Sequence, residues 1–147
     1  MMDARTNELT LTIEHSSTQS KFGGFCDSCI TASKATSWSM FDHALVLIEW
    51  KTQDAVKNAK AVNQWVLEAM AFLNMTKRPV ISVLSDGANV MRVQEVRILE
   101  DGRWRLIDYT GPGGAPLQLN EAFGVLCART RSRLAGHEDV EEEVEED

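Results

Sequence analysis

The stretch Ala44-Leu-Val-Leu-Ile-Glu-Trp-Lys51 decides the fold class. Apolar, partly β-branched residues in a run of this length predict a central strand with both faces covered. Side chains alternate along a strand, so Glu49 and Lys51 share one face and Trp50 packs on the other. A buried strand that ends in two charges on one face is costly unless they pair or bind something.

The pattern outward from this strand predicts its neighbours. Downstream, Val56, Ala59, Val62, Val66, Ala69, Met70 and Leu73 recur at helical spacing over Asp54 to Asn74. Lys57, Lys60, Gln64 and Glu68 fall on the opposite face. Pro79 prevents continuation, and Val80 to Leu84 follows as a second buried strand, with Ser85 to Asn89 as a turn. Upstream, Leu9 to Ile13 alternates as a short strand, Ser16 to Gly24 reads as a turn, and Phe25 to Ala32 reads as a strand that pairs with Ala44 to Lys51. Lys34 to His43 is the loop between them.

Farther along, Val90 to Leu99 and Trp104 to Tyr109 form a hairpin about Asp101-Gly102. Gly111 to Pro116 is a connector without the Lys-Ser/Thr of a phosphate loop. Asn120 caps a last helix to Ala135, with Phe123, Leu126, Cys127 and Leu134 on its apolar side and Arg129, Arg131 and Arg133 near its end. The order β-β-β-α-β-β-β-α predicts an α/β fold, a mixed sheet flanked by helices, in one domain over 1–136.

Charge refines this picture. The chain has 147 residues and a net charge of −7, which taken whole disfavours a polyanionic partner. Eight of the 22 carboxylates lie in Glu138 to Asp147, so the rest sets 14 acids against 15 bases. Residues 137–147 read as a disordered acidic tail on a nearly neutral body. The tail either solubilises the protein or shields a basic groove. No apolar run approaches the roughly 20 residues of a membrane span, and no secretory signal is visible. Three cysteines, Cys26, Cys29 and Cys127, fit a reducing interior. The expected location is inside the cell, the nucleus included. Cys26 and Cys29 lack the second ligand pair of a zinc site and read as ordinary buried thiols. Trp50 and Trp65 read as core, and Trp38 as a loop residue.

Asp27 lies on the strand expected to pair with Ala44 to Lys51. An Asp and a Glu on adjacent strands can converge on one hard cation, and a lysine beside them can orient a water and offset phosphoryl charge. Asp42 is a rival partner, but it starts the same strand, about 23 Å from Glu49. The plain alternative is a strand-end salt bridge between Glu49 and Lys51.

With these residues in place, the sequence resembles the PD-(D/E)XK nuclease superfamily. Phe25-Cys26-Asp27 is similar to its first motif element, with Cys26 where Pro is common, and Ala44 to Lys51 to its second. Gln64 matches the glutamine of the following helix, although Glu68 stands where a Tyr is usual. The stretch from Arg78 to Gly87 is similar to the strand and turn of restriction-type and crinkler-like effector nuclease domains. The resemblance spans about Phe25 to Val93 and implies a restriction-endonuclease-like fold. It implies a nuclease dependent on Mg²⁺ or Mn²⁺, with Asp27, Glu49 and the Trp50 backbone carbonyl as metal ligands and Lys51 as the catalytic lysine. Glu14 is the auxiliary candidate for a glutamate that often precedes the motif. Lys57, Lys60 and Gln64 are candidate nucleic-acid contacts, with a solvated helix face as the alternative. The implied partner is nucleic acid, DNA ahead of RNA, and a homodimer is compatible with cutting two strands. The competing reading is a non-catalytic binding or effector module on the same fold.

Overall fold

In the computed structural model, residues 2–3, 8–15, 18–32 and 41–145 are described, with side chains over 23–32 and 41–136. The strands are β1 (Met2–Asp3), β2 (Glu8–His15), β3 (Thr18–Phe25), β4 (Ser28–Thr31), β5 (Ala44–Trp50), β6 (Val80–Ser85), β7 (Met91–Ile98) and β8 (Trp104–Tyr109). The helices are α1 (Gln53–Val56), α2 (Ala59–Thr76) and α3 (Leu119–Glu145). A six-stranded sheet runs in the order β1-β4-β5-β6-β7-β8, and β2 and β3 form a separate hairpin. Strands β5 and β6 are parallel; the other neighbours in the large sheet are antiparallel. The fold is therefore α/β with a mixed sheet, as the β5 pattern predicts.

β5 lies inside this sheet, and six of its seven residues are buried. Its two faces feed two cores. Leu47 packs with Phe72 and Leu73 of α2, and Val46 and Ile48 pack with Ala122 and Leu126 of α3. Helices on both faces explain why β5 and β6 read as continuous apolar runs. The join from β5 to β6 passes through α1 and α2, which is what a parallel pair requires.

The single helix expected over Asp54 to Asn74 is two helices. Thr52 Oγ1 caps α1 by accepting from Ala55 N, and Asn58 Oδ1 caps α2 by accepting from Lys60 N at 2.9 Å. Asn58 favours a cap over a helix interior because its short amide satisfies orphan backbone donors. Lys77 closes α2 in a left-handed conformation, φ 58°, donating its N–H to Leu73 O at 2.8 Å.

Other expectations also need correction. The polar Ser16 to Gly24 stretch is largely strand β3, paired with β2 from Glu8↔Phe25 to His15↔Thr18. Gly23 and Gly24 weaken a strand but do not forbid one when a partner is in register. Trp50 is 41% exposed and Phe123 56%, so neither is core, whereas Trp65 is fully buried. The last helix does not end at Ala135: its backbone stays helical to Glu145, taking in most of the acidic run. Trp38 lies outside the described residues. The turn after β6 forms as expected. Asp86 Oδ1 accepts from the N–H groups of Ala88, Asn89 and Val90, and Ser85 Oγ donates to Val90 O at 2.7 Å. No helix among the described residues is long and apolar enough to cross a membrane.

The arginines of α3 have a structural use. Glu95 of β7 is fully buried, and Arg129 grips it with two bonds, Nε–Oε2 at 2.8 Å and Nη2–Oε1 at 3.1 Å. Arg133 Nε stands 3.6 Å from Glu95 Oε1, and the Tyr109 hydroxyl donates at 3.2 Å. Burial pushes the Glu95 carboxyl up, but the arginines outweigh it and hold it below its ordinary 4.5. A fork-shaped guanidinium on a carboxylate gives both orientation and energy. Arg129 and Arg133 thus fasten α3 to the sheet, while Arg131 stays exposed.

Removing one partner of a buried pair strands the other charge. Arg129→Ala is expected to lower the unfolding free energy in urea by about 3 kcal/mol. A loss below about 1 kcal/mol would show that Arg133 alone suffices. The lowered carboxyl pKa also fixes a sign. Its stabilising contribution is present above 4.5 and is lost as pH falls through the depressed folded value. Acid melts should therefore show a steeper loss below pH 4.5 in the wild type than in Arg129→Ala.

Candidate active site

The site forms where β4 begins and β5 ends. Antiparallel register places Ser28 opposite Ile48, so Asp27, one residue before, comes level with Glu49. The strand's hydrogen bonding fixes what happens next. Lys51 N donates to Ser85 O of β6 at 2.9 Å, so the alternate residue Trp50 turns its backbone toward β4. There Asp27 Oδ2 accepts the Trp50 N–H at 2.8 Å. This bond extends the ladder by one step with a side chain and anchors the Asp27 carboxylate at the strand end. Because the peptide joining Trp50 to Lys51 is trans, the Trp50 carbonyl lies on the side opposite the Lys51 N–H, the β4 side. Asp42 lies in the one-turn helix Phe41–His43 at the other end of β5, away from this point.

Glu49 and Lys51 leave β5 toward α2. Glu49 is 4% exposed, and its Oε1 stands 3.2 Å from Lys51 Nζ, which is partly open to solvent. The second oxygen, Oε2, is buried, and with both neighbouring carboxyls ionised it has no hydrogen-bond donor. Facing it is a group that sequence periodicity puts on the outside of the helix: Glu68 of α2, 2% exposed. Gln64, one turn earlier, donates Nε2 to Glu68 Oε1 at 3.1 Å.

Two buried carboxyls in one place cannot both ionise without cost. Burial, then the neighbouring Glu49 charge, pushes Glu68 up to about 9. Burial also raises Glu49, opposed by its hydrogen bond with Glu68 and by Lys51, with the Asp27 charge adding to the rise. The pair is short of positive charge. One proton held between them, or a cation near Glu49 Oε2, makes up the deficit.

The candidate residues therefore divide. Asp27, Glu49, Lys51 and the Trp50 backbone meet at one strand end, and Gln64 reaches it through Glu68. Lys57 follows α1 and is exposed; it belongs to the break between helices, not to the face of α2. Lys60 is exposed too, but it lines a shallow groove of about 520 Å³ with Gly23, Asn63, Gln64 and Leu67, beside the site's Gln64. Glu14 lies on β2, which belongs to the hairpin, and its side chain is outside the described ones. The signal that could have found Glu68 is its four-residue spacing from Gln64, which puts both on one helix face.

Cys26 and Cys29 are buried free thiols in the core under α2. Burial pushes the Cys26 thiol far up and Cys29 to about 11, so neither is a reactive thiolate near neutrality. Among the described residues, no group of three or more His, Cys, Asp or Glu side chains could by itself hold a metal. A site that draws one or two carboxylates, a carbonyl and solvent is a different kind, suited to Mg²⁺.

Compared with protein-family models, curated proteins and solved structures, the chain has no match. Its chemistry is thus read from geometry. The raised carboxyl gives a signed expectation. A folded pKa above the ordinary 4.5 contributes stability that is complete below 4.5 and is lost as pH climbs toward 9. In EDTA, Glu68→Gln should match the wild type near pH 5 and melt at least ~3 °C higher near pH 9. Parallel melting profiles across that range would contradict a shared buried charge.

Proposed function

We propose that the chain is a metal-dependent nuclease that hydrolyses phosphodiester bonds through Asp27, Glu49 and Lys51, with a restriction-endonuclease-like arrangement of the sheet. The observation that supports this most is the buried Glu49 carboxyl level with Asp27: its Oε1 stands 3.2 Å from Lys51 Nζ, and its Oε2 has no donor except a protonated Glu68. A structural ion pair needs one carboxylate and one lysine. Here Glu49, the one carboxyl paired with Lys51, also has Glu68 and Asp27 as neighbours, and the surplus negative charge suits a hard divalent cation. The order of a carboxylate-bearing strand, a hairpin, Glu-x-Lys, a helix and a parallel strand supports the fold part of the reading. The site also lies at the carboxyl ends of parallel β5 and β6, where open α/β sheets place ligands.

In this reading Asp27, Glu49 and the Trp50 carbonyl hold Mg²⁺ or Mn²⁺. When bound, the cation offsets the negative charge that develops on the phosphoryl group. Lys51, held by Glu49, orients the attacking water and donates to a phosphoryl oxygen. Water oxygen bonds to phosphorus as the ester P–O bond breaks; the proton the water loses passes to bulk solvent, and the leaving oxygen takes one from solvent. Glu68 holds the proton that offsets the pair's charge while no cation is bound, and Gln64 keeps Glu68 turned inward.

The second reading is a non-catalytic binding or effector module on the same fold. It is favoured by the absence of a three-ligand metal group among the described residues. One experiment separates the two. Plasmid and single-stranded DNA are incubated with the protein in Mg²⁺ and in EDTA, beside Asp27→Ala and Lys51→Ala. The nuclease reading predicts cleavage in Mg²⁺ alone, reduced about 10²- to 10³-fold in Lys51→Ala, with circular dichroism melts confirming that both variants fold. Cleavage unaffected by either substitution, or none by the wild type, sinks it.

A further inference from the structure

Trp50 carries its backbone in the proposed catalytic centre and its side chain into a different space. On the α3 side of the sheet, the indole faces a cleft of about 430 Å³. Ser85 at the end of β6, Gly87 and Ala88 of the turn, Met91 at the start of β7, and Leu119, Asn120 and Phe123 at the start of α3 line the rest. The volume is within the range of small-ligand sites. Three of these residues are large apolar groups left open: Trp50 41% exposed, Leu119 39% and Phe123 56%.

The chemistry of the walls narrows the occupant. No charged side chain lines the cleft, so it does not suit a phosphate or a carboxylate. The indole N–H is already donated to Ser28 Oγ at 3.2 Å, which fixes the ring and leaves its π-face as the surface on offer. Gly87 takes a left-handed φ of 83°, which suits glycine, and a Cβ placed there would be in ordinary contact with the ring at 3.9 Å, so the turn forms a wall beside Trp50. The turn is rigid, since the Asp86 carboxylate accepts three of its N–H groups. Phe123 offers a second aromatic face, and Asn120 supplies one amide that can both donate and accept. A flat, neutral ring with polar edges meets all of these terms.

Continuity with the proposed centre supplies the rest. Trp50 is bonded to Glu49 and Lys51 on either side, so a ligand in the cleft and one at the carboxylates occupy two faces of the same strand end. We propose that the cleft is a stacking subsite for one unpaired base of a single-stranded nucleic acid whose backbone crosses Asp27, Glu49 and Lys51. This rests on the nuclease reading for the position of the backbone. A base must leave a duplex to enter such a cleft, so single strands or unpaired ends are the substrates it fits.

The test is fluorescence anisotropy in EDTA, where no strand is cut. A labelled oligothymidylate of about 10 nucleotides is compared with an abasic strand of the same length and charge. The wild type should bind the base-bearing strand about tenfold more tightly. Phe123→Ala and Leu119→Ala should each shrink that preference to about twofold and leave abasic binding unchanged. Both residues are exposed, so folding should survive, and thermal melts verify it. Equal affinity of the wild type for the two strands, no binding of either, or a preference that persists in both variants overturns the subsite. Dimerisation lost in Phe123→Ala without any base preference also overturns it and assigns the cleft to a second copy of the chain. Cleavage in Mg²⁺ is read separately: its absence alongside a base preference contradicts the nuclease reading and leaves the stacking subsite standing.

Discussion

Glu49 and Glu68 face each other inside the protein with one lysine to balance them, and the rest of the site is arranged around that constraint. A carboxyl pair in a dry place needs a proton or a cation. β5 brings Glu49 to the strand end, α2 brings Glu68 over it, and Lys51 is the nearest positive charge on the same face. Asp27 adds a third carboxylate, anchored by the Trp50 N–H because β4 starts one residue later. The main-chain ladder therefore sets the spacing of the charged groups, and two packed cores hold the ladder in place.

Charge also resolves differently on the other side of the sheet. From sequence alone, the arginines of α3 could bind nucleic acid or fold back on the acidic tail. Arg129 and Arg133 instead neutralise the buried Glu95, with Tyr109 completing its shell. They fasten a helix, and what they leave for a polyanion is Arg131. Two of the three α3 arginines are therefore engaged in the fold. The proposed stacking subsite at Trp50 and Phe123 does not depend on them.

Much of this was legible in the sequence, and the misses have physical causes. β5, β6, the β7–β8 hairpin and the pairing of β4 with β5 follow from apolar runs and turn residues, which dominate wherever a segment is buried on both faces. The approach of Asp27 to Glu49 follows from that pairing. Glu68 is hard to read because helical periodicity assigns a charged residue to the solvent side; its spacing from Gln64 is the one sequence clue, and its burial is seen only in the fold. Trp50 was misplaced for the opposite reason. Alternation gives its face correctly, but at the last residue of a strand the covering helix begins too late to bury it. Gly23-Gly24 reads locally as a turn, and the β2 partner overrides that preference. The split between α1 and α2 was marked by Asn58, a cap residue hidden in an otherwise helical pattern.

The central claim is that the carboxyl cluster at the end of β5 is built for a divalent cation. Calorimetric titration of Mg²⁺ and Mn²⁺ into the metal-free protein, repeated in buffers of different ionisation enthalpy, tests it most directly. The account predicts saturable binding with proton release, because Glu68 holds a proton at neutral pH that a cation beside Glu49 displaces. It predicts that Glu49→Gln removes binding and that Glu68→Gln removes the proton release. Absence of binding by the wild type, or binding indifferent to Glu49→Gln, would contradict it.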